Sequence, residues 1–401
     1  MQSNREFFLF LRHSIPRTIW AIGISSLLIN TATAAIFSGS ALYLKTVIGV
    51  SVAVIGYLEA VVEAVAYGIR IFAGVISDYL RRRKVLMIVG FVLIALSKPI
   101  LALSKSYIEV FTARTIDRIG NGLQASPREA LVSDSAPKES KGACFGLRQS
   151  LAVIGSTLGG LLGIIVMKIT DNDFNCLFWI AAIPSTIAIV ILILFVKEHV
   201  KTEEEKTKRR NIRFADLKLL GQKFWILMIV VVVFMLGRFS EIFISLHACG
   251  NFGLNIAYGT VITMIYNFVS TVVSYPIGKM SDSRGRLNLL LFGFATLLSA
   301  HLLMGFAINI SMIICGTITW GIQRGISEGL FSTLVSDYVP KDLRGTGFGV
   351  YYFVVSISTA IASALAGKIS HLAGEQWAFK MGIITSIVAI LLFLICKKRL
   401  N

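Results

Sequence analysis

Acidic and basic residues occur in pairs inside stretches that are otherwise apolar. In the segment A113-R-T-I-D-R-I-G-N-G-L-Q-A-S-P-R128, Arg114, Asp117 and Arg118 precede the next apolar run. Arg114 and Arg118 are four residues apart and therefore lie on one side of a helix. An arginine fork binds a carboxylate or a phosphate bidentately, whereas a desolvated carboxylate can take up and release a proton. The segment thus combines anion-binding chemistry with a proton-exchanging group.

Other charged or amide side chains also lie near the middle of apolar stretches, and most form pairs spaced three or four residues apart. The candidate substrate-binding or proton-coupling residues are Asn30, Glu59, Glu63, Arg114, Asp117, Arg118, Arg148, Arg238, Glu241, Arg324 and Glu328. Lys98 is interpreted as a side chain that extends to the outer surface.

Two interpretations of these charges remain open. A charge at the centre of a membrane helix costs at least ~2.5 kcal/mol, so each one needs a partner or a water-filled cavity. The charges are either buried pairs that orient helices, or cavity residues that bind an anion and exchange protons.

The elements that position these residues are membrane helices. The chain has 401 residues, of which 55% are hydrophobic and only 15% charged. A soluble protein carries about 25% charged residues. Apolar runs reach the ~20 residues needed to span a bilayer as a helix, and they lack the alternating pattern of a barrel.

The apolar runs predict twelve spans. They lie at 18–44, 52–76, 84–104, 107–131, 142–168, 176–196, 224–248, 258–281, 287–308, 311–335, 346–370 and 376–396. The first run is too long for a signal-peptide core and is predicted to be a retained helix.

The net charge of +17 comes from basic residues whose positions match the topology of a membrane protein. The basic clusters, among them Arg81–Lys84 and Lys397–Arg399, fall on alternate connections between spans. This bias predicts that these loops and both termini are cytoplasmic, and it accounts for the charge without a nucleic-acid partner.

Cysteine and histidine give no sign of a metal site or of catalysis. The five cysteines and five histidines are dispersed, without the spacing of metal ligands or of a redox pair. We therefore expect no cofactor, no metal and no enzymatic activity.

The two parts of the chain repeat each other. The sequence A130-L-V-S-D-S-A-P-K aligns with T333-L-V-S-D-Y-V-P-K, and G74-V-I-S-D78 aligns with G278-K-M-S-D282 at nearly the same separation. Six spans per repeat keep both copies in the same orientation, an arrangement that transport proteins use around a site between two halves. The predicted domains are residues 1–197, a six-helix half; 198–222, a charged cytoplasmic linker; and 223–401, a second six-helix half.

These motifs resemble the major facilitator superfamily. G74-V-I-S-D78-Y-L-R-R82-R83 is similar to the family's loop motif between spans two and three, G278-K-M-S-D282-S-R-G-R286 is a second copy, and R118-I-G-N-G122 resembles its Arg–Gly motif. The resemblance implies a twelve-helix transporter in a bacterial-type inner membrane. Because one twelve-span chain contains a complete pathway, we expect it to function as a monomer. The resemblance also implies a cytoplasmic gate motif, which comprises Gly74, Asp78, Arg82, Arg83, Gly278, Asp282 and Arg286.

Physical reasons support these gate roles. Gly74 and Gly278 allow close helix packing, and Asp78 and Asp282 can bind loop arginines or a helix N-terminus. The glycines from Gly155 to Gly163 form a predicted small-residue seam on the fifth span.

The predicted function is secondary transport of a small organic solute, an organic anion in symport with protons, by rocker-switch alternating access. The alternative is proton-antiport export of amphipathic or cationic compounds, with Glu59 and Glu63 attracting the cation. The fifth span lacks the Gly-Pro pair typical of proton-driven drug exporters, which disfavours this alternative.

Overall fold

The computed structural model describes residues 15–50, 52–198, 214–252 and 256–400. Most of the predicted linker, residues 199–213, lies outside the described residues. Within them the chain forms thirteen α-helices and no β-strand. The helices are α1 (Arg17–Thr46), α2 (Val52–Leu80), α3 (Arg83–Leu103), α4 (Tyr107–Ser135), α5 (Lys141–Ile169), α6 (Phe174–Phe195), α7 (Gln222–Leu236), α8 (Ile242–Phe252), α9 (Ile256–Arg284), α10 (Arg286–Gly305), α11 (Ile310–Tyr338), α12 (Arg344–Ala373) and α13 (Gln376–Leu400).

The seventh predicted span is broken into two helices. Helix α7 ends at Leu236 and α8 begins at Ile242, with Gly237 as the C-cap of the first. Arg238 and Glu241 lie in this non-helical interval. The break therefore places two candidate charges between the ends of two helices.

Eight of the helices are long and apolar enough to cross a membrane by length and composition: α1, α3, α5, α6, α9, α10, α12 and α13. The other predicted spans, formed by α2, α4, α7 with α8, and α11, hold most of the candidate charges. Such helices are stable in a membrane only if the charged side chains face protein or water rather than lipid.

The chain divides into two compact units. Unit 1 comprises residues 1–140, 151–219 and 340–352, and unit 2 comprises residues 141–150, 220–339 and 353–401. The start of α5 therefore belongs to unit 2, and the start of α12 to unit 1.

The same packing occurs inside each unit. In unit 1, α4 packs against α2 and α3, while α6 packs against α1 and α3. In unit 2, α11 packs against α9 and α10, while α13 packs against α7 and α10. The sequence repeat is therefore also a repeat of helix packing.

Aromatic side chains fill part of each core. In unit 1, Tyr43 packs against Phe174 and Phe178, and its hydroxyl donates to the Ser104 carbonyl at 2.7 Å. In unit 2, Phe234 stacks on Phe294 with ring centroids 4.3 Å apart.

Close helix contacts in unit 1 use the predicted glycine seam. An added Cβ at Gly159 would lie 2.8 Å from the Cβ of Ala34 on α1, whereas one at the adjacent Gly160 would meet nothing within 4 Å. Only one side of the seam therefore requires glycine.

Candidate functional site

Two arginines converge on one carboxylate in unit 2. Arg238 Nη2 lies 2.7 Å from Oε1 of Glu328, and Arg324 Nε lies 3.1 Å from the same oxygen. Arg238 comes from the break between α7 and α8, and the other two residues lie one turn apart on α11. The side chains of Arg238, Arg324 and Glu328 are 13%, 20% and 23% exposed. The cluster is therefore partly exposed rather than fully enclosed.

Neighbouring helices orient this cluster. Arg324 Nη1 donates to Asn267 Oδ1 at 3.1 Å, and its guanidinium lies 5.0 Å from the ring centroid of Tyr266 on α9. Gln149 of α5 donates from Nε2 to Oε2 of Glu328. The carboxylate thus joins the arginine pair to the segment of α5 that belongs to unit 2.

Two further charged candidates interact with members of this cluster. Arg148 is buried and interacts electrostatically with Glu328. Glu241 interacts electrostatically with Arg324. All five charged candidates from the second half and the start of α5 are therefore in one neighbourhood.

Two mid-span candidates of unit 1 form a partly exposed ion pair. Arg118 Nε lies 3.0 Å from Oε1 of Glu63, which joins α4 to α2. The side chains are 11% and 32% exposed. This pair, like the unit 2 cluster, is partly exposed.

A second pair in unit 1 is fully enclosed. Lys98 forms an ion pair with Asp117, and their side chains are 1% and 4% exposed. Ser97 Oγ also lies 3.4 Å from Asp117 Oδ1, and Arg114 is buried nearby. Lys98 therefore does not extend to the outer surface as its sequence position suggested, because Asp117 provides its counter-ion inside the unit.

The remaining two candidates are placed differently. Asn30 donates from Nδ2 to the Ala152 carbonyl at 3.2 Å and so links α1 to α5. Glu59 lies on α2, but its side chain is outside the described residues.

The first gate motif holds the N-terminus of α12. Asp78 Oδ1 accepts from the Gly345 N–H at 2.9 Å, and Oδ2 accepts from the Thr346 N–H at 2.6 Å. Arg83 is buried, lies 3.4 Å from Asp78 and forms an ion pair with Asp134. Arg82, by contrast, is exposed.

Asp134 also binds the start of α12. Arg344 Nη1 lies 2.6 Å from Asp134 Oδ1 and donates to the Ser133 carbonyl at 3.2 Å. One carboxylate is therefore shared by Arg83 and Arg344.

The second gate motif repeats this arrangement in unit 2. Asp282 accepts from the N–H groups of Gly142 at 2.8 Å and Ala143 at 3.0 Å, at the start of α5. Asp337 is shared by Arg286 and Lys141, the latter at 3.2 Å. Arg286 also lies 3.3 Å from Asp282. Each motif carboxylate thus binds the free N–H groups of a helix start, where negative charge is favourable.

The motif glycines allow the starts of α12 and α5 to pack closely against the helices that carry the motif carboxylates. A Cβ at Gly74 would lie 2.9 Å from the Gly345 carbonyl carbon, and one at Gly278 would lie 3.0 Å from that of Gly142. A side chain at either position would push the helix start away from its carboxylate.

Sequence reasoning did not assign a role to several residues of these clusters. Asp134 and Asp337 stand in the repeated L-V-S-D sequence, so the repeat itself was a signal for them. Arg344 aligns with Lys141 in the same repeat, so the repeat was a signal for it as well. Gln149 gave no comparable signal, because its partner is distant in the chain.

The two units share one helix packing, and in each a motif carboxylate binds the start of a helix. Together with the partly exposed charges within helices, these features define a multi-span membrane transporter. The sequence profile of the Major Facilitator Superfamily matches residues 22–363 and 250–400. The chain belongs to this superfamily. The predicted fold class is confirmed: an all-α membrane protein with the twelve-helix fold of two six-helix repeats.

Relatives share this assignment over most of the chain. A transporter of the same type from Methanocaldococcus jannaschii is 27% identical over 387 residues, 95% of each chain. The Escherichia coli inner membrane transport protein YajR is 24% identical over 357 residues, 84% of this chain and 72% of its own.

Solved structures show the same fold. The human organic anion transporter MFSD10 superposes with a TM-score of 0.77 at 18% identity, covering 94% of this chain and 99% of its own. The proton:xylose symporter XylE superposes with a TM-score of 0.73 at 15% identity, covering 96% of this chain and 95% of its own.

Proposed function

We propose that the protein moves a small organic anion together with protons, by rocker-switch alternating access of its two six-helix halves. The observation that carries the proposal is the convergence of Arg238 and Arg324 on Oε1 of Glu328, at 2.7 and 3.1 Å. Two guanidiniums around one carboxylate oxygen form the environment that an external carboxylate or phosphate would occupy.

The charge of the unit 2 cluster supports an anionic substrate. In unit 2, Arg148, Arg238 and Arg324 outnumber Glu241 and Glu328. In unit 1, Lys98, Arg114 and Arg118 are balanced by Glu59, Glu63 and Asp117. Because charges interact strongly where water is scarce, a surplus of one positive charge attracts an anion. Protonation of a carboxylate would increase that surplus, which supports coupling to protons.

The gate motifs support the proposed motion. Hydrogen bonds from a carboxylate to helix N–H groups can form in one state and break in another without loss of helix structure. We place these motifs and both termini on the cytoplasmic side of an inner membrane, from the distribution of basic residues. One chain is proposed to contain the complete pathway.

Two structural neighbours are consistent with this class of substrate and coupling. MFSD10 is described as an organic anion transporter, and XylE as a proton:xylose symporter. Their likeness to this chain is one of fold, so the assignment here depends on the arginine clusters.

The competing function is export of cationic or amphipathic compounds. It requires Glu59 and Glu63 to attract a cation, but the carboxylate of Glu63 already has Arg118 as its counter-ion. A cation would therefore have to displace Arg118 from Glu63.

A thermal-stability screen of the detergent-purified protein tests the proposal. Succinate, benzoate and inorganic phosphate represent anions, and tetraphenylphosphonium represents cations. A ligand specific for the folded state adds ~2.7 kcal/mol at one hundred times its dissociation constant. We expect an anion to stabilise the wild type and the control variant Arg284→Gln, but not Arg324→Gln.

The opposite pattern would support the exporter. Stabilisation by tetraphenylphosphonium alone, with loss of the effect in Glu63→Gln, would overturn the proposed anion transport.

A further inference from the structure

We propose that, without substrate, the Glu328 carboxylate occupies the position between the two arginines where the transported anion binds. Displacement of this carboxylate then releases Gln149 and the start of α5. This inference rests on the proposed anion transport and names the residue that links binding to motion.

The geometry of Glu328 makes it a ligand that an external anion can replace. Arg238 and Arg324 both contact Oε1, while Oε2 accepts a hydrogen bond from Gln149. Its position one turn from Arg324 on the same helix fixes its approach to the pair. A free carboxylate or phosphate can give each guanidinium its own oxygen and use the planar fork more fully.

The exposed fraction of its side chain distinguishes Glu328 from a carboxylate in a fully buried ion pair. The Glu328 side chain is 23% exposed, whereas the Asp117 side chain, paired with Lys98, is 4% exposed. The ion pairs of Glu328 are therefore partly exposed, unlike the enclosed pair of Lys98 and Asp117.

The repeat shows that the fold does not need this cluster. In the alignment that pairs Asp134 with Asp337, Glu328 corresponds to Ala125 and Arg324 to Asn121. Helices α4 and α11 nevertheless pack alike within their own units. A charged triad that only one copy of the repeat has is better explained by function than by folding.

Gln149 connects the carboxylate to a defined segment. Residues 141–150 of α5 belong to unit 2 and are held at their start by Asp282, through Gly142 and Ala143. At their end they are held by Gln149 on Glu328 and by Ser150 Oγ, which donates to the Thr271 carbonyl at 2.9 Å. When an anion binds the arginines, Glu328 moves away, and the contact with Gln149 is lost.

Cys144 reports on this segment. It lies within residues 141–150 and is fully buried, with 0% exposure. Loosening of the segment would expose its thiol to an alkylating reagent, so a chemical rate can follow the proposed displacement.

The test uses the full chain with Cys176, Cys249, Cys315 and Cys396 replaced by serine, so that Cys144 alone reacts with N-ethylmaleimide. Succinate, benzoate and inorganic phosphate are the probes, and thermal unfolding measures their binding in parallel. We expect a probe that stabilises the protein to accelerate Cys144 alkylation about tenfold, the effect of losing one charge-assisted hydrogen bond.

Two variants separate the role of Gln149 from general loosening. Gln149→Leu should react rapidly without a probe and show no further acceleration, although the probe still stabilises it. The neighbouring control Ser150→Ala loses the other end contact but should keep the acceleration. Gln149→Asn, which is too short to reach Glu328, provides the same comparison if the leucine variant does not fold.

The outcomes distinguish the two proposals. If a probe stabilises the wild type but leaves Cys144 alkylation unchanged or slower, the displacement mechanism is wrong and anion transport stands. If no anion stabilises the wild type, the proposed function fails, and this inference fails with it.

Discussion

Asp78 and Thr346 are joined by a hydrogen bond of 2.6 Å, donated by the backbone N–H of Thr346 at the start of α12. Asp282 forms the equivalent bond, of 3.0 Å, with the N–H of Ala143 at the start of α5. The two carboxylates of the repeated motif therefore act on the backbone and not only on loop arginines. The basic residues of the motif bind a further shared carboxylate, Asp134 or Asp337.

Loss of the Asp282 charge should release the start of α5. Hydrogen bonds to a charged acceptor contribute about 1.5–3 kcal/mol each, so Asp282→Asn weakens the hold on Gly142 and Ala143. We expect alkylation of the buried Cys144, measured in the single-cysteine protein, to accelerate by about tenfold or more.

Asp342→Asn is the control for this prediction. Asp342 is also acidic, but its side chain is 64% exposed. Its replacement should leave the rate unchanged. Equal rates in Asp282→Asn and the wild type would show that the carboxylate does not hold the helix start.

Gly74→Ala should destabilise the protein. The added methyl carbon would lie 2.9 Å from the carbonyl carbon of Gly345 and 3.3 Å from Cα of Gly349. Overpacking of this kind costs about 1–3 kcal/mol, which thermal unfolding in detergent can detect.

Gly68→Ala on the same helix is the matched comparison. An added Cβ there meets nothing within 4 Å, and alanine favours a helix by up to ~1 kcal/mol over glycine. We expect an unchanged or higher unfolding temperature. Equal losses in both variants would show that the contact with α12 does not decide the effect.

Lys98→Met should be strongly destabilising, because it leaves Asp117 buried without the cation that it contacts. Breaking a buried ion pair by removing one partner costs about 3–5 kcal/mol. Thermal unfolding should show this loss, with Lys105→Met, at an exposed lysine, as the control. A change below ~1 kcal/mol would argue that Arg114 and Arg118 alone neutralise Asp117.

Glu375 should make stability depend on pH. It lies between α12 and α13, and desolvation by burial raises the pKa of its carboxyl. The folded protein therefore favours the protonated form more than the unfolded chain does. The resulting stabilisation is complete below the ordinary carboxyl pKa and is lost as pH rises through the raised value.

Thermal unfolding from acidic to neutral pH checks this expectation. Glu375→Gln should remove this part of the pH dependence, since glutamine does not titrate. An identical pH profile in the variant and the wild type would contradict it.

The sequence by itself determined the class of fold. Apolar runs of spanning length, basic clusters on alternate connections and the repeated G-x-x-S-D and L-V-S-D sequences predict twelve helices in two repeats. These signals are local or repeat at a nearly fixed separation, so they can be recognised without coordinates. The same local signals marked most of the charged candidates, because a charge inside an apolar helix stands out.

Only the tertiary structure decided which charges meet. The sequence paired Arg324 with Glu328 through their spacing of one helical turn, but it could not show that Arg238 and Gln149 reach the same carboxylate. It also suggested an outward-directed Lys98, whose actual partner is Asp117 on the neighbouring helix. Such contacts depend on how helices are rotated and packed, which is fixed by side chains distant in the chain rather than by local spacing.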